Sequence, residues 1–362
     1  MSIPIILILF ILWSIVFVAI LFCVINIFYV STGYKWAVSD HFDGKRFYNI
    51  GWSPKESYRI ERSDDKKWWL IYWLLHREKN KWKRREIIPV VPVERNIGDD
   101  VIITYIGHAT VLIQISGVNI VTDPVWENRA SPFSWAGPRR FTEPWVKLAD
   151  LPPIDIVLLS HNHYDHMDIA TLRKFKEKDN PLIYTGLGNM GYLKDRKIEN
   201  VREMDWWQEE EYKKESVQAK IIYLPAQHFS ARGLTDRNKT LWWGFRIEIA
   251  WKSIYFAWDT GYGPFIESIS GEYPEGFDIG LIPIGAYKPR WFMAPVHTDP
   301  FEGMRLQREL GIKKSVGIHY GTFDLADDNQ DEPLEDLKKA KENPLYKDQI
   351  FEIGPSGTSW NW

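Results

Sequence analysis

Four residues of metal-ligating type fall within six consecutive positions, His161-Asn162-His163-Tyr164-Asp165-His166. A single histidine says little, because a satisfied core or surface role accounts for most of them. Three imidazoles and a carboxylate crowded together are hard to explain as packing, since buried charge needs a partner. In an extended loop His161 and His163 can point to one side and grip a single cation. Asp165 and His166, at the turn into the next helix, can serve a second. The sole cysteine, Cys23, lies in an apolar run, so thiolate drops out of the donor set. Imidazole with carboxylate remains, a combination that suits zinc. The chemistry expected is metal-assisted hydrolysis.

The elements that must position these residues show the same habit repeatedly. The apolar run 154–159 leads into Ser160 and the motif, 221–224 is followed by His228, 254–258 ends at Asp259, and 316–318 ends at His319. Ligands set just beyond strand ends converge on one edge of a sheet sandwich, where rigid elements hold loop residues in fixed geometry. Runs at 101–106, 111–115 and 118–122, with a turn over 116–119, predict a hairpin-rich opening. Strands follow at 154–159, 182–184, 220–224, 241–249, 254–257, 277–282 and 315–318, interleaved with helical patterns at 168–178, 301–310 and 334–341. Such alternation implies an α/β fold of sheets covered by helices. Of nine histidines, six (His161, His163, His166, His228, His297 and His319) fall in loops this architecture would gather. His108, between strands, reads as a buried orienting residue. No repeat is visible, and the acidic loop 327–335 is the one biased segment.

With 362 residues, 45% of them apolar and 26% charged, the chain can fill one large α/β domain or two ordinary ones. A net charge of -3 gives no bias toward nucleic acid, which is not expected as a partner. Many of the 19 tryptophans sit near the N-terminus or beside loops, a placement that suits a membrane interface. Residues 3–30 are almost wholly apolar, against about 20 needed to span a bilayer. No basic residue precedes them and no small-x-small cleavage site follows clearly, so they read as one transmembrane helix rather than a signal peptide. Lys35, Lys45 and Arg46 follow the run, which by the positive-inside rule faces the bulk of the chain to the cytoplasm. The expected organisation is a transmembrane anchor over 1–31, a membrane-proximal aromatic and basic segment over 32–95 (Trp68, Trp69, Lys79, Lys81, Lys83, Arg84, Arg85), and a hydrolase domain over 96–362.

Several segments carry a family resemblance. Thr104-Tyr105-Ile106-Gly107-His108-Ala109-Thr110, the Thr122-Asp123-Pro124 turn, the HxHxDH run, Asp259-Thr260-Gly261-Tyr262 and Ile318-His319-Tyr320-Gly321-Thr322-Phe323 resemble the metallo-β-lactamase fold superfamily. Within it, Arg129-Ala130-Ser131-Pro132, Gly137-Pro138-Arg139-Arg140-Phe141, Asp205-Trp206-Trp207 and the stretch from Ile282 through Pro289-Arg290-Trp291-Phe292-Met293 resemble the N-acyl-phosphatidylethanolamine-hydrolysing phospholipase D family. The resemblance implies a four-layer αββα sandwich with two zinc ions per chain. It implies that His161, His163 and His228 bind one zinc, that Asp165, His166 and His319 bind the other, and that Asp259 bridges them and acts in catalysis. It also places Tyr164 and His297 against a phospholipid substrate. The function it implies is a membrane-anchored dizinc phosphodiesterase that releases N-acylethanolamine and phosphatidate; a homodimer stays open as its assembly. A lactonase or other phosphodiesterase of the same superfamily is the alternative enzyme, and a zinc-binding membrane scaffold without catalysis is the alternative class.

Overall fold

The computed structural model describes residues 3–28, 37–52, 82–233, 235–354 and 358–362. Its β-rich part begins with a meander, β1 (Ile102–Gly107), β2 (Thr110–Ile115) and β3 (Val118–Thr122). All three are antiparallel neighbours. β2 and β3 are joined by Ser116-Gly117, both at positive φ, the mirror-image turn whose twist matches that of the strands. β4 (Ile156–Leu158), β5 (Leu182–Gly186) and β6 (Val201–Met204) then add in parallel. Their connections carry α2 (Ile169–Lys178) and α3 (Asn189–Lys194).

The second sheet repeats the pattern. β7 (Glu209–Lys214), β8 (Val217–Leu224), β9 (Gly244–Ile249) and β10 (Lys252–Phe256) are antiparallel, and β11 (Phe277–Pro283), β12 (Ile312–Ile318) and β13 (Ile350–Glu352) continue in parallel. The C-terminal β14 (Ser359–Asn361) returns to pair with β1, so the orders are β14-β1-β2-β3-β4-β5-β6 and β13-β12-β11-β10-β9-β8-β7. β11 is largely apolar, and β10 and β12 are buried over 254–256 and 315–318, because parallel strands covered on both faces have no wet side. β7, an edge strand, carries Glu209, Glu210, Glu211, Lys213 and Lys214, charges that discourage edge-to-edge pairing.

The main core fills the space between the sheets and includes Ile113, Leu158, Trp242, Trp243, Phe256 and Val316. A second cluster lies under α2 and α3. Further helices α4 (Phe265–Glu272), α5 (Arg290–Met293), α6 (Pro300–Glu309) and α7 (Glu332–Lys341) follow the strands of the second sheet. α6 starts on a full capping box between Asp299 and Glu302. Two sheets with helices match the α/β sandwich expected.

The N-terminal expectation needs correction. Residues Ile3–Phe28 are helical (α1), yet among the described residues no helix is long and apolar enough to cross a membrane. The single-pass membrane placement, and the cytoplasmic facing that depended on it, are overturned by that finding. Trp68, Trp69, Lys79 and Lys81 lie outside the described residues. Arg84 and Arg85 are within them and pair with Glu143 and Asp331 rather than standing free as a basic surface. Residues 37–52 send Phe42 and Phe47 into the core between the sheets.

Candidate metal centre

The first cluster is built where β4 ends. The chain leaves β4 through Leu159 and Ser160, lays down 161–166, and enters α2 at Asp168, whose side chain accepts from the Ala170 amide. In that loop His161 Nε2 and His163 Nδ1 lie 2.7 Å apart. His228, in the loop after β8, brings its Nε2 to 3.4 Å from His163 Nδ1. These three histidines form one group that could hold a cation. Asp165, His166, His319 and His108 form another, and Asp259, three residues beyond β10, groups both with His161 and His166 and with His228 and His297. Within each group the ligand atoms lie within 4.8 Å of one another.

The imidazoles are aimed from behind. His228 Nδ1–H donates to the Val296 carbonyl at 2.9 Å, which leaves the Nε2 lone pair toward the cluster. Ser160 Oγ–H donates to Asp123 Oδ2 at 2.6 Å, which leaves Ser160 Oγ to accept His161 Nδ1–H at 3.0 Å. Asp123 Oδ2 also accepts His166 Nδ1–H at 2.7 Å, and Oδ1 accepts the Ser160 amide at 2.8 Å. One carboxylate thereby orients a histidine in each group. Asn49 holds the backbone of His228 from both sides: its amide donates to the His228 carbonyl at 3.1 Å and its carbonyl accepts the His228 N–H at 3.0 Å. In the same sheet, a Cβ at Gly285 would stand 2.1 Å from the His319 carbonyl oxygen, so only glycine lets the two loops approach.

Whether these residues fit a metal can be tested on the atoms left without partners. Asp259 Oδ1 is 2.9 Å from His319 Nε2, and Asp259 Oδ2 is 3.0 Å from His166 Nε2. Yet Asp259 Oδ1, His166 Nε2 and His319 Nε2 are all buried without a hydrogen-bond partner. Close approach of acceptor-type atoms that do not pair is what a shared cation would satisfy. The donor set fits.

Electrostatics divides the two groups. Burial pushes the pKa of His163 down to about 3, and burial with the neighbouring imidazoles holds His161 well below its usual value. Burial also keeps His228 low. His166 and His319 move the other way: burial opposes their charge, but Asp259 and Asp165 outweigh it and raise His166 far up and His319 to about 9. Asp165 and Asp259 are held well below the usual carboxylate range; burial opposes this, but His166 prevails at both and His319 adds to it at Asp259.

Tyr164 and His297 are placed differently. His297 is buried, its ring 5.2 Å from His228 and 5.4 Å from His319, with Nδ1 unpartnered. It is not the cap of α6, a role taken by Asp299. Tyr164 turns away from the ligand groups; its hydroxyl donates to the Arg232 carbonyl at 3.1 Å and its ring lies under the Arg232 guanidinium at 4.1 Å. His108 Nε2 is 3.0 Å from Asp165 Oδ2. Asn49, Asp123, Ser160 and Arg232 had no assigned role in the sequence reading. For Asp123 a signal existed, since it ends an apolar strand just as Asp259 does. A larger cavity of about 870 Å³ lies beside Trp251 and Lys252, at the opposite strand ends from this chemistry.

Comparison with known proteins agrees with this geometry. The β-lactamase superfamily domain matches residues 118–320. The chain is 38% identical over 268 residues to N-acyl-phosphatidylethanolamine-hydrolyzing phospholipase D 1 of Caenorhabditis elegans, covering 71% of this chain and 74% of that one. It is 33% identical over 263 residues to the mitochondrial N-acyl-phosphatidylethanolamine-hydrolyzing phospholipase D of Saccharomyces cerevisiae, covering 72% of this chain but 56% of that relative's length. A metallo hydrolase from the archaeon Ignicoccus hospitalis shares the fold, with a TM-score of 0.54 at 19% identity over 73% of this chain and 98% of that one.

Proposed function

Because this chain is a metal-dependent hydrolase of the β-lactamase superfamily and belongs, within it, to the family of N-acyl-phosphatidylethanolamine-hydrolyzing phospholipases D, we propose that it cleaves N-acyl-phosphatidylethanolamine at a two-zinc centre. The observation that carries the reading is Asp259, whose buried Oδ1 has no hydrogen-bond partner and whose carboxylate groups with ligands of both clusters. His161, His163 and His228 would hold one zinc, Asp165, His166 and His319 the other, and Asp259 would touch both. Paired zinc ions supply a lowered water pKa and neutralise phosphodiester charge.

The chain's own residues do the rest. Water adds to phosphorus, the bond from phosphorus to the ethanolamide oxygen breaks, and the proton released ends on that oxygen, giving phosphatidate and an N-acylethanolamine. Asp259, held ionised beside His166 and His319, would orient the attacking water and accept its proton. His297, kept neutral by burial with a pKa of about 4, would hydrogen-bond a phosphate oxygen through its unpartnered Nδ1. Tyr164 would bound the substrate on the side of Arg232. No side-chain nucleophile is required.

The test is product analysis by mass spectrometry after the zinc-loaded protein meets mixed phospholipids. N-acylethanolamine and phosphatidate appearing in equal amounts are expected. Turnover of lactones with no cleavage of N-acylated phospholipid would replace this reading with another hydrolase of the superfamily.

A further inference from the structure

Beside the candidate centre, and sharing Tyr164 and Met167 with its loop, opens a cleft of about 580 Å³ lined by four arginines, Arg129, Arg173, Arg196 and Arg232. We propose that this cleft binds a phosphomonoester dianion. Aromatic rings and guanidinium groups alternate through it. The Tyr164 ring lies 4.1 Å from the Arg232 guanidinium carbon, Arg232 lies 5.1 Å from the Tyr192 ring, and Arg196 lies 3.4 Å from that same ring. Arg232 is only 7% exposed, and its fork is fixed by the Tyr192 hydroxyl and the Asn162 and Met167 carbonyls.

The acids nearby are spoken for. Glu127 pairs with Lys174, and Asp168 accepts from Thr171 Oγ1 and the amides of Trp126, Glu127 and Ala170. The arginines themselves donate to backbone carbonyls: Arg129 to Ser134 and Gly137, Arg173 to Arg196, and Arg196 to Tyr192. Among the described residues none of the four has a carboxylate within ion-pair distance. Four like charges are gathered in a recess, two of them stacked on rings that pre-set their planes, with no ion-paired carboxylate among the described residues. Burial and the adjacent Arg232 and Arg173 lower the Arg196 pKa, opposed by Tyr192 and Asp195. Planar guanidinium forks match phosphate oxygens bidentately, and a dianion takes two forks where a diester takes one. The volume admits a phosphate with part of its glycerol.

Two sources share this chemistry, free phosphate and the headgroup of phosphatidate. Only the second rests on the reaction proposed above, whose failure would show separately as absent N-acylphospholipid cleavage by the unaltered protein. The experiment titrates full-length zinc-loaded protein with inorganic phosphate, and in parallel with phosphatidylcholine vesicles that contain or lack phosphatidate. The comparison protein is Arg173→Gln/Arg196→Gln, with zinc content and melting temperature measured on both. Both affinities should fall by about tenfold or more, as expected for two lost charge-assisted contacts, and Arg173→Lys/Arg196→Lys should recover part of each. A fall for phosphate with unchanged vesicle binding would make free phosphate the ligand. Unchanged affinity for both in a glutamine variant that retains its zinc would overturn the proposal.

Discussion

The two sheets run through the same strand pattern, and at the same step each places a carboxylate: Asp123 directly beyond β3, and Asp259 three residues beyond β10. Both are buried, but their surroundings oppose one another. Asp123 is saturated by donors, the Ser160 amide and hydroxyl and the His166 Nδ1–H, and burial pushes its pKa up. Asp259 faces the ring nitrogens of His166 and His319 with its Oδ1 left without a hydrogen bond, and despite burial those rings hold its pKa down. Topology therefore delivers a carboxylate to the seam twice. What surrounds it, a backbone amide and hydroxyl that bond it fully or the ring nitrogens of ligand-type histidines, decides whether it orients ligands or joins them.

The sharpest way to break this comparison is to neutralise each carboxylate without changing its shape. Asp259→Asn should lower hydrolysis on the order of a thousandfold, the scale of losing a preorganised charge at the reacting centre, with zinc content falling in parallel. Asp123→Asn should cost about 10 to 100-fold in zinc affinity, the usual price of an outer orienting group, and excess zinc should restore much of the rate. Equal, unrescued losses in both would erase the distinction.

Asn49 extends the comparison to His228, which it holds by the backbone rather than the ring. Asn49→Ala strands a buried N–H and C=O and should destabilise the protein by about 1–3 kcal/mol in denaturant unfolding; no change would remove Asn49 from the site's support. The two ligand groups should also part company in pH. His319, with a pKa of about 9, carries a proton below that pH which a metal must displace, whereas His163, at about 3, does not. Affinity of the carboxylate-rich group should then fall by about tenfold for each pH unit below 9 per proton displaced, while the three-histidine group stays flat to well below neutrality. Calorimetry at pH 7 in buffers of different ionisation heat would show proton release with one binding event and not the other.

The smallest effect concerns the hairpin tips at the far strand ends. β2–β3 turns on Ser116-Gly117, while the equivalent β9–β10 turns on Ala250-Trp251, both at positive φ without a glycine. Trp251 is fully exposed, so Trp251→Gly should raise thermal stability by up to about 1 kcal/mol. A loss instead would mean the indole has a partner.

Much of this was readable from residues because strand-end ligands leave a local trace: an apolar run, then histidine or aspartate. The helical patterns at 168–178, 301–310 and 334–341 lie within a residue or two of α2, α6 and α7. β7 was missed because a charged edge strand has no apolar face to alternate, and β14 because its pairing with β1 joins the two ends of the fold. Asn49 was invisible for the same long-range reason, since it meets His228 across 179 residues. The apolar N-terminus misled because a run of apolar residues was read directly as a membrane span, whereas among the described residues no helix is long and apolar enough to cross a membrane.

The ligand groups draw on both halves of the molecule: 161–166 come from the first sheet, and His228, Asp259 and His319 from the second. A cation bound among them is a rivet through the seam, and its binding energy becomes folding energy. At a free zinc level a thousandfold above its dissociation constant the tie would contribute about 4 kcal/mol. Metal supply would then govern how much of the protein survives as well as how fast it works, and chelation would lower the melting temperature.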